Sequence, residues 1–97
     1  MSSGVYAIVN VETAQRYVGC SSHIEERWER HCHMLEDGIH PNFLLQSAYD
    51  KFTDKLAFVI LEITAPETMY QCEQKWISRL VRYHAMYNLD MGTKVYA

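Results

Sequence analysis

Residues 4–19 read GVYAIVNVETAQRYVG, and this stretch decides the architecture of the chain. It contains two short β-prone runs, Gly4–Asn10 and Ala14–Gly19, with a turn-forming segment between them. Two such runs separated by a few residues predict a β-hairpin. Tyr6 and Tyr17 occupy equivalent points of the two runs, so we expect their rings to lie side by side. Cross-strand packing is the commoner use of such a pair, and the rest of the chain decides between packing and chemistry.

The overall composition is typical of an ordinary globular protein. The chain has 97 residues, 48% of them hydrophobic and 22% charged, so we expect one domain over residues 1–97 with one compact core. No stretch approaches the ~18 apolar residues that a membrane helix needs. The N-terminus does not have the pattern of a signal peptide. We therefore expect a cytoplasmic protein, phage-encoded or bacterial, with no membrane contact.

Charge and cysteine content exclude several classes of protein. The formal net charge of −3 argues against a chain that holds nucleic acid by charge alone, because phosphate neutralisation drives non-specific binding. The three cysteines (Cys20, Cys32 and Cys72) include no CxxC pair, so we expect neither a disulfide framework nor a zinc ribbon. His31 and His33, two apart on a predicted helix, point in different directions and cannot bind one zinc ion together.

The segment after the hairpin predicts a first helix. Ser22 is the expected N-cap, with Glu25 completing a capping box, and the helix should run to about Asp37. The apolar stripe of this helix consists of Ile24, Trp28, Cys32 and Leu35. Arg27 and His31 are four residues apart, so they should lie one turn from each other at the edge of the buried face.

A second helix and a third strand follow. The helix is expected over about Asn42–Phe52, with Pro41 suited to its first turn and His40 just before it. Its inward-facing residues should be Leu44, Leu45, Ala48 and Phe52. The run Lys55–Thr64 is largely apolar in its middle, which is typical of a strand covered on both faces. We expect this strand to pair with the hairpin in a three-stranded sheet.

A third helix should begin at residues 66–67, a Pro-Glu pair, and run to about Arg82. Its apolar face consists of Met69, Trp76, Ile77, Leu80 and Val81. Glu73 falls in the middle of that face. A carboxylate directed toward a core costs several kcal/mol unless it is paired, protonated or bound to a metal. Glu73 is therefore the one clear violation of the binary pattern in this chain.

The two strand tyrosines, the Arg27/His31 pair and the inward Glu73 together suit phosphodiester cleavage. A carboxylate can hold a divalent cation, and the cation and a guanidinium can offset charge on phosphoryl oxygens. A phenol or an imidazole can take a proton from water. Each residue also has a structural alternative: packed tyrosines, a packed histidine, and an ion pair between Arg27 and Glu73.

The triplet GVY at residues 4–6, followed after ten residues by YVG at residues 17–19, resembles the signature of the GIY-YIG nuclease superfamily, with valine for each isoleucine. Further positions that match the family in type, order and approximate spacing are Arg27, His31, His40, Glu73 and Asn88. The similarity spans residues 4–90 and is greatest to the catalytic modules of phage homing endonucleases. It implies an α/β fold of the α+β type, a three-stranded antiparallel sheet flanked by three helices in the order β-β-α-α-β-α, in agreement with the patterns above.

The resemblance implies a metal site and a general base. Glu73 would be the sole protein ligand of one Mg²⁺ or Mn²⁺ ion that contacts the scissile phosphate and stabilises the leaving 3′ oxygen. Tyr6 would be the first choice for the general base and Tyr17 would help to position water, although the family has been argued both ways. A free tyrosine has a pKa of about 10, so acting as a base at pH 7 demands ~4 kcal/mol of stabilisation, for which Arg27 and the cation are the local sources. Many relatives carry a lysine where this chain has Cys20, which leaves proton transfer less supported.

The resemblance also assigns supporting roles. Arg27 would bind the phosphate, His31 would support the tyrosine and water network, and His40 would belong to the same catalytic set. Asn88 lies in a short extended segment, Tyr87–Asp90, that could reach back to the sheet. By resemblance it would orient the metal-binding carboxylate.

DNA binding is expected from arginine and lysine side chains on two helices. Lys75, Arg79 and Arg82 recur at spacings of four and three, and the first helix offers Arg27 and Arg30. We expect Arg27, Arg30, Lys75 and Arg79 to contact double-stranded DNA. Nothing in the sequence looks like a base-reading element such as a helix-turn-helix or a zinc finger. By resemblance, a separate DNA-binding domain would supply that recognition.

The leading hypothesis is a metal-dependent DNA endonuclease domain that hydrolyses phosphodiester bonds with little intrinsic sequence specificity. We expect a monomer that could pair transiently on DNA. The alternative is a non-catalytic DNA-associating or regulatory module on the same scaffold. A third hypothesis is a small interaction domain in which Glu73 simply pairs with Arg27.

Overall fold

A three-stranded antiparallel sheet organises the computed structural model, which describes residues 2–89. Strand β1 (Gly4–Asn10) lies in the middle, between β2 (Arg16–Ser21) and β3 (Leu56–Ile63). The predicted hairpin, the pairing of the third strand and the α+β order are confirmed. Asp90, the last residue of the predicted extended segment Tyr87–Asp90, lies outside the described residues. The unpatterned stretch after it, residues 91–97, also lies outside them.

The register of the hairpin decides how the tyrosines meet. Tyr6 is paired with Gly19, and Ile8 is paired with Tyr17, so the two tyrosines are diagonal neighbours and not direct partners. Alternate residues of a strand share a face, so both rings still lie on the same side of the sheet. Their centroids are 6.5 Å apart with planes inclined at 44°.

The turn of the hairpin makes β2 start later than predicted. Ala14 has a φ of 67°, in the left-handed region that a strand residue does not adopt. The side-chain oxygen of Asn10 accepts hydrogen bonds from the backbone N–H groups of Glu12 and Thr13. The second strand was predicted to begin at Ala14, but this turn includes Ala14, and β2 therefore begins at Arg16.

Helix α1 (Ile24–Glu36) begins differently from the predicted capping box. His23 is the N-cap and makes no side-chain capping bond. The predicted Ser22–Glu25 box is wrong because Glu25 has other partners. Its carboxylate accepts hydrogen bonds from the backbone N–H of Ser2 at 2.8 Å and from the Ser2 hydroxyl at 2.7 Å. The N-terminal segment thus lies against the start of α1. Ser2 binds the Glu25 carboxylate, which is therefore not available for the predicted capping box.

Helix α2 (Phe43–Lys51) is shorter than predicted and is capped by Asn42, whose side-chain oxygen accepts from two N–H groups of the first turn. Pro41 therefore precedes the cap and does not lie in the first turn. Leu45 and Ala48 are buried as predicted and Phe52, the C-cap, is half-buried. Leu44 is 38% exposed, so its predicted inward position is wrong. The helix lies on the sheet along a narrow stripe, and Leu44 falls outside it.

Strand β3 is an edge strand, and the prediction that it is covered on both faces is wrong. Its residues Val59, Ile60 and Ile63 are exposed, Ile63 by 61%. The apolar run could not reveal this because strand order is a tertiary property. The strand that is covered on both faces is β1, which lies between the other two.

The third helical segment has two parts. A single 3-10 turn, Pro66–Thr68, leads into helix α3 (Met69–Leu80). Pro66 does open the segment as predicted, but α3 ends before Arg82, and Val81 is its C-cap. The buried residues of α3 are Met69, Glu73 and Ile77. Their spacing of four puts Glu73 in the centre of the buried stripe, which confirms the predicted inward carboxylate.

The sheet separates the core into two clusters, where the sequence predicted one. One face of β1 packs Tyr6 and Ile8 against α1 and α2. The opposite face packs Val5 and Ala7 against α3. Helices on both faces of a sheet require both sets of alternating side chains to be apolar. Within residues 2–89 no helix is long and apolar enough to cross a bilayer.

Candidate active site

Three buried side chains form a hydrogen-bonded chain on the α1 face of the sheet. The phenolic oxygen of Tyr6 lies 2.7 Å from Nε2 of His31, and Nδ1 of His31 lies 2.7 Å from Nε2 of His40. The backbone N–H of Asn42 donates to Nδ1 of His40 at 3.0 Å. The two imidazoles are stacked, with centroids 5.0 Å apart. The structure thus brings together three of the predicted site residues, which come from a strand, a helix and a loop.

A cleft of about 260 Å³, which we call the tyrosine cleft, contains the predicted tyrosines and arginine. It is lined by Tyr6, Tyr17, Gly19, Cys20, Ser21, Ser22, Arg27, Met69 and Tyr70. The lining residues come from strands β1 and β2, from α1, which supplies Arg27, and from the first turn of α3. Two phenols and a guanidinium from three elements therefore face one space large enough for a phosphate group.

Gly19 allows the tyrosines to approach the sheet closely. A β-carbon at this position would stand 2.6 Å from the phenolic oxygen of Tyr6 and 3.2 Å from a ring carbon of Tyr17. Only glycine leaves room for both rings. The sequence marked Gly19 as part of the YVG triplet, but the contact depends on a ring that belongs to the neighbouring strand.

The electrostatic environment of Tyr6 opposes ionisation. Burial raises the pKa of Tyr6 well above its usual value, and the neighbouring Tyr17 raises it further. The Arg27 guanidinium acts in the other direction, through its charge and a hydrogen bond. Without added positive charge, Tyr6 is a neutral phenol at pH 7. Its use as a base therefore needs more help than a free tyrosine would.

A second hollow, of about 460 Å³, adjoins the tyrosine cleft. We call it the arginine hollow; it is lined by Tyr17, Arg27, Arg30, His31, Met34, His40, Pro41, Asn42, Asn88 and Leu89. Tyr17 and Arg27 line both spaces. Arg30, predicted to contact DNA, therefore lies beside the same concave surface as the predicted catalytic residues.

Asn88 joins the segment after α3 to strand β2. Its side-chain oxygen accepts from the N–H of Val18 at 2.9 Å, and its side-chain nitrogen donates to the carbonyl of Val18 at 2.8 Å. The prediction that Asn88 reaches back to the sheet is confirmed. The role implied by the resemblance, orientation of Glu73, stays a prediction.

Glu73 is completely buried, with 0% of its surface exposed. It lies one helical turn beyond Met69, which lines the tyrosine cleft, and its Oε1 accepts a hydrogen bond from Gln74 at 3.5 Å. Residues 2–89 contain no group of three or more His, Cys, Asp or Glu side chains that could form a metal cage. Mg²⁺ commonly uses one or two carboxylates together with substrate phosphate and water. A carboxylate is the right kind of donor for that ion, but Glu73 is not among the residues that line the tyrosine cleft, and the structure places it one helical turn from Met69 in the cleft lining.

Lys75 and Arg79 do not line the tyrosine cleft or the arginine hollow. They line separate shallow hollows along α3. The Arg79 guanidinium lies 5.3 Å from the ring centroid of Trp76, whose indole N–H donates to Glu62 at 2.9 Å. These contacts hold Arg79 in place by a cation–π interaction. Its predicted contact with DNA would be made on a surface distinct from the cleft.

Sequence reasoning missed two residues that hold His40 in place. Asn42 caps α2, bonds to His40 through its backbone, and donates from its side chain to the carbonyl of Tyr87 at 2.9 Å. Gln46 accepts from the backbone N–H of His40 at 3.0 Å. The side chain of Asn42 is a preferred N-cap, a signal present in the sequence. Gln46 carries no such signal, because its partner is set by how the loop folds over the helix.

Comparison with known proteins agrees with this geometry. The family model of the GIY-YIG catalytic domain matches residues 2–88. Intron-associated endonuclease 1 of Enterobacteria phage T4 is 34% identical over 95 residues, covering 96% of this chain. The chain spans 39% of the length of that relative.

Two solved structures resemble the whole fold. A mutant of the catalytic domain of intron endonuclease I-TevI superposes with a TM-score of 0.85 at 31% identity, covering 98% of this chain and 100% of that one. The catalytic domain of homing endonuclease I-TevI gives 0.82 at 31% identity, covering 91% of this chain and 98% of that one. With the triplets GVY and YVG on paired strands and the tyrosines meeting in one cleft, the chain belongs to the GIY-YIG endonuclease family.

Proposed function

We propose that this chain is the catalytic module of a divalent-cation-dependent DNA endonuclease and that residues 1–97 form a single nuclease domain. The observation that carries the proposal is the meeting of Tyr6, Tyr17 and Arg27 in one cleft of about 260 Å³. The carboxylate of Glu73, one helical turn from Met69 in the lining of the cleft, supports it, because Mg²⁺ commonly uses one or two carboxylates together with substrate phosphate.

The cleft residues have different accessibility and therefore different roles. Arg27 is partly exposed and lines both hollows, so it binds a non-bridging phosphate oxygen. Tyr17 is also partly exposed and orients the attacking water. Tyr6 is fully buried, and its oxygen, held by His31 at 2.7 Å, is the proton acceptor for that water once ionised.

One Mg²⁺ or Mn²⁺ ion held by Glu73 would supply positive charge to the phosphoryl oxygens and to the leaving oxygen. Arg27, which lines the cleft, adds a second positive charge. Arg27 lowers the pKa of Tyr6 against the effect of its burial, and a bound cation would act in the same direction, since a nearby positive charge favours a phenolate. Cys20 lines the cleft at the position where many relatives have lysine, and it brings no positive charge. More of the stabilisation of a Tyr6 phenolate must therefore come from Arg27.

The surface around the cleft favours contact with the DNA backbone and not with bases. Arg27 and Arg30 line the concave surface, and guanidinium groups bind phosphates in a sequence-independent way. No element of residues 2–89 has the geometry of a base-reading module. We therefore propose double-stranded DNA as substrate, low intrinsic sequence specificity, and a monomeric module. A separate DNA-binding domain accords with the 39% of its relative that this chain spans.

The test is cleavage of supercoiled plasmid with Mg²⁺ or Mn²⁺, with and without EDTA. We expect Glu73→Gln and Arg27→Ala to lose about 10²-fold or more of the cleavage rate, since each removes charge that acts on the transition state. Glu67→Gln and Lys55→Ala, at exposed positions outside both hollows, are the matched controls. Circular dichroism and thermal melting check that every variant folds.

A second measurement separates metal binding from turnover. Mg²⁺ or Mn²⁺ should raise the melting temperature of the wild type and leave that of Glu73→Gln unchanged, because only binding to the native state stabilises it. Cleavage that survives EDTA, or full activity of Glu73→Gln, would refute the metal-dependent assignment. DNA retention without cleavage under either metal would favour the non-catalytic DNA-associating module.

A further inference from the structure

We propose that the hydrogen-bonded chain from Asn42 through His40 and His31 to Tyr6 has one fixed direction, with every bond donated toward the phenolic oxygen. In this arrangement His40 is a positioning residue that holds His31 as a neutral donor. The direction follows from the structure alone, and its consequence for cleavage rests on the proposed function.

The direction of these hydrogen bonds is set by the backbone N–H of Asn42, which lies at the end of the series farthest from Tyr6 and can only donate. The backbone N–H of Asn42 lies 3.0 Å from Nδ1 of His40, so that nitrogen must be the unprotonated acceptor. A neutral imidazole with a bare Nδ1 carries its proton on Nε2. The Nε2–H of His40 therefore donates across 2.7 Å to Nδ1 of His31.

The protonation of His31 is set by His40 in the same way. Because Nδ1 of His31 accepts, the proton of His31 is on Nε2, 2.7 Å from the oxygen of Tyr6. His31 thus donates to Tyr6, and it has no free lone pair with which to accept the phenolic proton of Tyr6. A hydrogen bond donated to the phenolic oxygen favours the phenolate, so the chain acts with Arg27 and against burial.

The geometry also excludes a cationic pair. A proton added to Nδ1 of His40 would face the N–H of Asn42, and one added to Nδ1 of His31 would face the Nε2–H of His40. His31 and His40 are only 4% and 8% exposed, and burial lowers the pKa of His40. Both effects keep the two rings neutral.

The neighbouring charges act in the same sense. Arg27 and Arg30 of α1 line the same hollow as the two histidines, and positive charge disfavours an imidazolium. Tyr6 of β1 and Tyr17 of β2 also face His31, each with its ring centroid 5.6 Å from the imidazole. In the absence of DNA and metal, Tyr6 is a neutral phenol and adds no charge. The segment after α3 contributes the uncharged Asn88.

Nitrogen-15 NMR of the histidine rings in the intact protein shows which ring nitrogen of each histidine carries the proton. The measurement needs no DNA, metal or turnover. We expect both His31 and His40 as Nε2–H tautomers that stay neutral at pH 6, where an ordinary histidine would be about three-quarters protonated. An Nδ1–H tautomer or an imidazolium at either ring at pH 6 would overturn the proposal. An inactive protein with the expected tautomers would refute the nuclease function and leave the direction standing.

The positioning role is tested by the pH profile of plasmid cleavage in two variants. His40→Phe removes both bonds and frees His31 to change its protonation, so cleavage should fall up to about fourfold more at pH 6 than at pH 8, because an ordinary histidine is only about one-quarter neutral at pH 6. His40→Gln keeps an N–H that can donate to His31, and it should restore most of the pH 6 loss. Identical pH profiles for the two variants would overturn the positioning role. If His40→Phe does not fold, the wild-type tautomers and the His40→Gln profile, which should follow that of the wild type, still decide it.

Discussion

Gly19 lies directly beneath the phenol of Tyr6, so close that a β-carbon there would be 2.6 Å from the phenolic oxygen. The two residues are paired across β1 and β2, one in each of the triplets GVY and YVG. The second triplet therefore supplies space for the side chain of the first, in addition to its own tyrosine. This relationship gives the glycine of the motif a physical reason.

Substitution of Gly19 tests that reason. We expect Gly19→Ala to displace the Tyr6 oxygen, with a loss of cleavage of about 10²-fold, since misplacement by ~1 Å can cost that much. Overpacking should also cost about 1–3 kcal/mol of unfolding free energy. Cleavage rate and urea denaturation are the two measurements.

Gly38→Ala is the control for that prediction. Gly38 has a φ of 73° at the end of α1, and no atom lies within 4 Å of a β-carbon built there. Its backbone strain should cost about 1 kcal/mol of stability and leave the cleavage rate of the folded protein unchanged. Equal cleavage by Gly19→Ala and wild type would contradict the steric account of Gly19.

Asn88→Ala should destabilise the fold by about 2–4 kcal/mol. The change removes both partners of the Val18 backbone, which is fully buried, and a buried unpaired donor or acceptor costs about 1–3 kcal/mol. Urea denaturation measures the loss. The control is Asn42→Ser, which keeps an uncharged oxygen to cap α2 but loses the bond to Tyr87, and should cost less. A loss below ~0.5 kcal/mol for Asn88→Ala would contradict the structural role of these bonds.

Stability should fall as the pH drops below about 7 because of His40. Burial lowers the pKa of His40 in the folded state, so the unfolded chain, with a histidine pKa of about 6.5, binds more protons in acid. One such histidine gives a slope of at most about 1.4 kcal/mol per pH unit, from about pH 6.5 down to its folded-state pKa. Denaturation at pH 7, 6 and 5 measures the slope, and His40→Gln should reduce it. An unchanged slope in that variant would contradict the buried neutral histidine.

Glu25 should contribute to stability above about pH 4.5. Hydrogen bonds from Ser2 lower the pKa of the Glu25 carboxyl from 4.5 to about 2, so its contribution is lost as the pH falls from about 4.5 toward 2. We expect Glu25→Gln to be less stable than the wild type at pH 7 and the difference to narrow as the pH falls. Glu26→Gln, exposed in the same helical turn, should show no such difference.

Local patterns in the sequence were enough to predict most of the elements. The hairpin, the order of strands and helices, and the inward position of Glu73 all depend on periodicity within a few residues. Two of the errors share a cause. The helix start at His23 and the exposed face of β3 depend on contacts with parts of the chain far away in sequence, namely Ser2 and the order of the strands.

Residue type and local spacing were enough to identify which residues are chemically capable and which face of its element each one occupies. Tyr6, Tyr17, Arg27 and Glu73 were identified by residue type, spacing and the triplets that resemble the family. These properties are local, because a side chain's face follows from the 2.0 or 3.6 period of its own element.

Only the tertiary structure decided how those residues interact. The diagonal tyrosine pair depends on the strand register. The direction of the histidine hydrogen bonds depends on two contacts, Tyr6 with His31 and His31 with His40, whose partners are 25 and 9 positions apart in the sequence. Hydrogen-bond direction is set by which donor stands at the end of the chain, here the backbone of Asn42. No pattern of residue types encodes that donor, because every residue except proline has the same N–H group.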